Sequence, residues 1–147
     1  MQLLLLMLSS VAIASAQTEE WCRCAAFVTY ERTEIMVYEA AEVPITACDA
    51  VAAEECKAGC VAELSTASDN GDLWHITKKG ITIGQYICSY LAKQLFYYLH
   101  NHRVYGYYEV CGGAWQYADI QSQQMLCCVA GKHEHCVSDE TMNSGEH

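Results

Sequence analysis

The chain has few basic residues for its size. Its 147 residues include eight lysines and arginines against 18 aspartates and glutamates, which gives a formal net charge of −10. Nucleic-acid binding needs cations clustered against phosphates, and adsorption to anionic membranes needs basic patches. The composition therefore argues against a nucleic-acid partner and against a cationic antimicrobial function.

Long apolar runs and N-glycosylation sequons are also missing. The apolar stretch near the start is shorter than the ~20 residues that a membrane-spanning helix requires. It ends at Ala14-Ser15-Ala16, whose small-x-small form is typical of a signal-peptidase site. We therefore predict a signal peptide over residues 1–16, a single disulfide-rich extracellular domain over residues 17–147, no membrane anchor, and secretion.

Cysteine, in contrast, is abundant. An even number of cysteines in a secreted chain favours a disulfide framework, here of five bridges. A zinc site is the alternative, but the Cys-x2-Cys pairs usual in such sites are absent. Spacing alone leaves the pairing open. The ten cysteines predicted to form disulfides are Cys22, Cys24, Cys48, Cys56, Cys60, Cys88, Cys111, Cys127, Cys128 and Cys136.

The first part of the domain predicts a β-hairpin. Residues 25–30 and 34–38 are rich in aromatic and β-branched side chains and flank the polar link 31–33, a pattern typical of paired strands. Side chains alternate along a strand, so Cys22 and Cys24 would lie on one face and bond two different partners.

Two helices are predicted next. Residues 49–64 are rich in alanine and glutamate and lack proline, and residues 46–49 fit a capping box. Cys56 and Cys60, one turn apart, would tie this helix to the body at two points. The second helix would begin after Thr82 and follow an apolar stripe at steps of four: Ile83, Ile87, Leu91, Leu95 and Leu99.

Residues 104–111 and 125–129 then predict further strands. Strands, two helices and strands in this order indicate an α+β fold, a small disulfide-rich domain with antiparallel strands and two helices. Successive side chains on a strand point to opposite faces. Cys127 and Cys128 would therefore reach two different earlier elements.

Four short motifs follow one another in the second half of the chain: Tyr105-Gly106, Gly112-Gly113, Cys127-Cys128 and His133. Their order resembles the one that secreted phospholipases use for calcium binding and water activation. A phospholipase-like enzyme is therefore the third functional hypothesis. The catalytic histidine of that pattern should stand three residues after the second cysteine, where this chain has Gly131. We therefore predict no enzymatic activity, no catalytic residue and no cofactor.

Two histidine pairs leave metal binding open. His100 and His102, like His133 and His135, are each separated by one residue, and imidazole suits zinc and copper. Histidine pairs near an element's end are more often surface or capping residues, so no metal site is predicted.

Tyrosine is concentrated between residues 86 and 117. These side chains could pack in the core and on the sheet, form an interaction surface, or cross-link oxidatively. Our prediction for partner contact is the set Tyr105, Tyr107, Tyr108 and Trp115. Among these, Tyr105 and Tyr107 would share one strand face.

A set of spaced positions, most of them cysteines, carries a family resemblance: Cys22-x-Cys24 with Phe27, Cys48, Cys56-x3-Cys60, Cys88, Cys111 followed by Trp115, Ser122, Cys127-Cys128 and Cys136. This spacing resembles that of the follicle cell protein family, small secreted cysteine-rich proteins of arthropods. The similarity covers nearly all of the chain after the signal peptide. It implies secretion from reproductive or epithelial tissue into an egg coat or another matrix, with no catalytic residues.

The sequence thus favours a secreted, disulfide-stabilised structural or protein-binding component of an extracellular coat or matrix, with an extracellular protein or the matrix as partner. The alternative is a soluble signalling or immune factor in a body fluid.

Overall fold

The domain combines antiparallel strands with two helices, which confirms the predicted α+β class. The computed structural model describes residues 20–137, so the predicted signal peptide lies outside the described residues. In chain order the elements are β1 (Trp21–Tyr30), β2 (Thr33–Glu39), β3 (Val43–Pro44), α1 (Ala50–Ser68), α2 (Ile83–Lys93), β4 (Leu99–His102), β5 (Val104–Val110), β6 (Gln116–Gln121), β7 (Leu126–Val129) and β8 (Lys132–Glu134).

The main sheet has the order β2-β1-β5-β6, and β3 also pairs with β1. All of these pairings are antiparallel. The predicted hairpin is confirmed, because β1 and β2 pair directly and turn at Glu31, whose φ is 57°. Both helices pack on the side of this sheet that carries Cys22, Cys24 and Val28.

Helix α1 begins later than we predicted from the capping box at residues 46–49. The N-cap is Asp49, whose carboxylate accepts a hydrogen bond from the Ala52 N–H at 2.8 Å. An aspartate satisfies a free amide at a helix start efficiently. Cys48 is therefore left outside the helix, where it bonds Cys111.

The predicted two-point attachment of α1 is confirmed. Cys56 and Cys60 form disulfides with Cys22 and Cys24, which lie on one face of β1. Two bridges one helical turn apart fix both the position and the rotation of α1 on the sheet.

Helix α2 is shorter than its apolar stripe predicted. It ends at Lys93, and the Phe96 N–H bonds the Leu91 carbonyl, which closes the last turn. Leu95 adopts a φ of 69° and is 74% exposed, while Leu99 lies in β4 opposite Cys128. The prediction that this helix extends to Leu99 was wrong, because Leu99 pairs with a strand of the second sheet.

The second sheet has three strands in the order β4-β7-β8. The prediction that Cys127 and Cys128 would reach two different earlier elements is only half right. Cys128 bonds Cys88 of α2, an earlier element, but Cys127 bonds Cys136, which lies only 9 positions later. Cys127 thus fastens the end of the described chain instead of an earlier element.

The core is divided into two clusters of buried residues. One contains Ile87 and Leu91 of α2 and lies between that helix, the hairpin and the second sheet. The other surrounds the α1 disulfides and includes Leu64 and Tyr108. Neither helix in residues 20–137 is both long and apolar enough to cross a bilayer.

The disulfides should contribute unequally to stability. Cys88–Cys128 closes a loop of 40 residues that no other bridge shortens, so replacing both cysteines with alanine should cost about 4 kcal/mol by chain entropy. Cys24–Cys60 lies beside Cys22–Cys56, which already closes nearly the same loop. Its removal should cost only about 2 kcal/mol. Urea unfolding of both double variants would check this ranking, and equal losses would contradict it.

Candidate partner-binding surface

The face of the main sheet opposite the helices carries a group of aromatic side chains. Phe27 of β1 pairs with Tyr105 of β5, and Tyr107 pairs with Tyr117 of β6. Trp115 comes from the turn before β6 and lies beside Phe27. We call these five residues the outer aromatic surface.

Three of the four ring contacts on this surface are edge to face, and the fourth, between Tyr107 and Tyr117, is tilted. Phe27 has its centroid 5.2 Å from both Tyr107 and Trp115, at interplanar angles of 80° and 65°. Tyr117 lies 5.8 Å from both Tyr105 and Tyr107. Such contacts stabilise aromatic pairs beyond their buried area, so the surface holds its shape before any partner binds.

The predicted contact set is corrected at one position. Tyr105, Tyr107 and Trp115 lie together on the outer aromatic surface, but Tyr108 lies on the opposite face. It is 6% exposed, packs with the α1 disulfides and donates a hydrogen bond to Gln116. Alternation along β5 is the reason, because adjacent residues of a strand point to opposite faces. Tyr108 is therefore a core residue.

Arg23 joins the aromatic rings to a group of carboxylates. Its guanidinium lies 5.0 Å from the Trp115 ring centroid. Its nitrogens contact Glu39 at 2.8 Å, Glu109 at 2.9 Å and Glu42 at 3.8 Å. Hydrogen bonding to Glu39 is the largest influence that raises the pKa of Arg23 above its ordinary value. The Arg23 guanidinium thus contacts both the Trp115 ring and three glutamate carboxylates.

Glu109 depends on that contact more than the other two acids do. Its side chain is 3% exposed, against 36% for Glu39. One oxygen binds Arg23, and the other is buried without a hydrogen-bond partner. A buried carboxylate needs a nearby counter-ion. No local sequence pattern indicates this pair, because 86 positions separate the two residues.

The histidine pairs occupy two different settings. His100 is exposed, while His102 contacts the Thr29 carbonyl at 2.8 Å. His133 and His135 both stack on Trp74, with ring centroids 3.9 and 4.0 Å away. Within residues 20–137, no group of three or more histidine, cysteine or acidic side chains is arranged to hold a metal ion.

His133 is enclosed at the start of α2. Its Nδ1 lies 2.9 Å from the Thr82 hydroxyl, and its Nε2 is buried without a partner. A Cβ at Gly84 would lie 2.2 Å from the ring, so only glycine fits there. Burial, followed by the nearby His135, lowers the pKa of His133 below its ordinary value.

No family model, no curated protein and no solved structure matches this chain.

Replacing Arg23 should expose the dependence of Glu109 on its counter-ion. Arg23→Gln should cost about 3 kcal/mol of folding free energy, because it leaves a buried carboxylate unpaired. Arg23→Gln combined with Glu109→Gln should cost less than the sum of the two single changes, since the double variant carries no stranded charge. Denaturant unfolding of the four proteins measures this coupling, and additive losses would contradict it.

Acid should destabilise the domain through His133. The unfolded chain takes up a proton near pH 6.5, whereas the folded pKa is lower. Stability contributed by the neutral ring is therefore complete above pH 6.5 and falls as the pH drops from there towards the folded pKa.

Urea midpoints between pH 8 and pH 5 check this expectation. His133→Gln should flatten the slope below pH 6.5, the unfolded value, although it lowers stability overall by removing the stack on Trp74. His100→Gln is the control, because His100 is exposed and belongs to the other histidine pair. An unchanged slope in His133→Gln would refute the assignment.

Proposed function

We propose that this protein is secreted and works outside the cell as a structural or protein-binding component of a coat or matrix, with the outer aromatic surface as its contact site. The observation that carries the proposal is the position of this surface. It lies on the face of the main sheet opposite the two disulfides that attach α1.

Five disulfides support the extracellular setting. All ten cysteines of the chain are paired. Disulfides persist in oxidising compartments such as extracellular space and are rare in the cytosol. The domain is therefore built as small extracellular proteins are built. The resemblance of its cysteine spacing to the follicle cell protein family supports a coat or matrix as the place where it works.

The chemistry of the outer aromatic surface suits protein recognition. Tyrosine and tryptophan are enriched where interfaces derive most of their binding energy. Tyr117 is 41% exposed, and Tyr105, Tyr107 and Trp115 are half-buried. Their rings are locked by mutual packing, so little side-chain entropy would be lost on binding.

Charge around the surface favours a partner with basic side chains. Burial is the main cause that raises the pKa of the Tyr107 phenol, and the nearby Glu34 carboxylate is the second. Glu39 and Glu42 surround Arg23, whose positive charge they offset. A partner that complements this face would present apolar or aromatic side chains bordered by lysine or arginine, since complementary charge favours the correct encounter.

The contact site can be tested by removing two of its rings. Tyr105→Ser with Tyr107→Ser should reduce retention of the secreted protein in the coat or matrix of cells that produce it. The control is Tyr97→Ser with Tyr98→Ser, the same chemical change at two tyrosines that are 44% and 67% exposed and belong to neither sheet. The measurement is the fraction of protein in the insoluble matrix relative to the medium.

Two further readouts make the experiment decisive. Thermal unfolding of each variant confirms that the domain still folds. N-terminal sequencing of the exported protein should begin at Gln17, after the predicted signal peptide. Wild-type retention by the variant lacking Tyr105 and Tyr107 would overturn the contact site. Wild-type protein found wholly in the fluid would overturn the matrix component and favour the soluble factor.

A further inference from the structure

A cavity of about 100 Å³ lies between the two helices and the main sheet. Leu64 and Ala67 line it from α1, and Ile83 and Ile87 line it from α2. Ala26 of β1 contributes to its floor. Residues of β2, β5 and β6 complete its wall, so the cavity is formed by elements far apart in sequence and lies on the helix side of the main sheet.

The attachment of the helices explains why this space exists. Two disulfides hold α1 on β1, whereas the Cys88 disulfide holds α2 on β7. Helix α1 packs against β1, β5 and β6, and α2 packs against β2, β7 and β8. Each helix is thus drawn to its own core cluster. The gap between them lies above Ala26, whose methyl group is too small to fill it.

The cavity wall offers almost no hydrogen bonds. The Ser68 hydroxyl already donates to the Leu64 carbonyl and accepts from the Gly71 N–H. The Ser122 hydroxyl likewise accepts from the Val104 N–H and donates to a backbone carbonyl. A buried water needs two to four polar partners. The site therefore disfavours water and favours an apolar occupant.

An opening allows a ligand to enter without unfolding. Three lining residues are solvent-exposed and mark the rim: Ala67, Tyr86 and Gln121. Tyr38 also lines the cavity, and burial raises the pKa of its phenol. The rim therefore carries uncharged side chains, so an uncharged ligand meets no unpaired charge as it passes.

We propose that this cavity binds a small uncharged hydrocarbon or the hydrocarbon end of a larger molecule. An apolar protein cavity of ~150 Å³ takes one benzene, so this one fits about four or five carbon atoms by the same measure. The driving force is burial of apolar surface, which is worth about 0.8 kcal/mol for each methylene. Binding would fill the gap between the two core clusters and join them.

Cyclopentane and tetrahydrofuran are the matched probes for this site. The two rings have the same size, but tetrahydrofuran carries an ether oxygen that the wall cannot satisfy. Cyclopentane should cause saturable shifts in the methyl NMR signals of Leu64, Ile83 and Ile87. Tetrahydrofuran should bind about tenfold more weakly or worse, because its oxygen loses its water.

Two substitutions should close the cavity. Ala67→Leu fills it from the rim, and Ala26→Val fills it from the floor with a residue that strands favour. Each should abolish the saturable shifts and raise the thermal midpoint of the ligand-free protein. Ala58→Leu is the control, because it adds the same carbons to an exposed position of α1 outside the cavity. It should bind cyclopentane like the wild type.

Binding of a methyl ester of a long fatty acid tests the second source of the same chemistry. Saturable binding of the ester that Ala67→Leu abolishes would show that the cavity takes the end of a longer chain. Cyclopentane binding alone would assign it to small molecules. The proposal is overturned if wild-type methyl signals do not saturate with cyclopentane, if tetrahydrofuran binds equally well, or if both filled variants fold and still bind.

Discussion

The pair of disulfides between β1 and α1 is the constraint on which the rest of this domain depends. Cys22 and Cys24 point to one face of a strand, and Cys56 and Cys60 point to one face of a helix. Residues two apart share one face of a strand, and residues four apart share one face of a helix. The two bridges can therefore form together without distorting either element. This attachment decides which side of the main sheet is covered by helices and which side is left to the outer aromatic surface.

The second helix is fixed independently, and this divides the interior. The Cys88–Cys128 disulfide attaches α2 to the small sheet, and a second cluster of buried residues forms around it. A single close-packed core would leave few voids larger than a water molecule. Two separately fastened clusters do leave one, and its apolar wall follows from the residues that each cluster contributes.

Local pattern predicted much of this architecture but not all of it. The hairpin and the two attachment points on α1, Cys56 and Cys60, follow from alternation and from a step of four, and both are present. The same step of four extended α2 too far, because Leu95 and Leu99 fit a helix locally while strand pairing placed Leu99 in β4. A periodic pattern cannot indicate where a competing tertiary contact takes over.

The candidate site shows the same division. Alternation identified Tyr105 and Tyr107 as neighbours on one face, and it also places Tyr108 on the other, inside the α1 core. The contact between Arg23 and Glu109 needed the antiparallel register of β1 and β5, which sets the two residues opposite each other.

The sequence by itself determined the class of domain, the disulfide chemistry, the acidic surface and the approximate strands and helices, because composition and periodicity are local properties. Only the tertiary structure decided which cysteines pair, which sheet face the helices cover, and that a cavity separates the helices. Those features depend on distances between residues far apart in the chain, and such distances exist only once the strands have paired and the helices have been fastened to them.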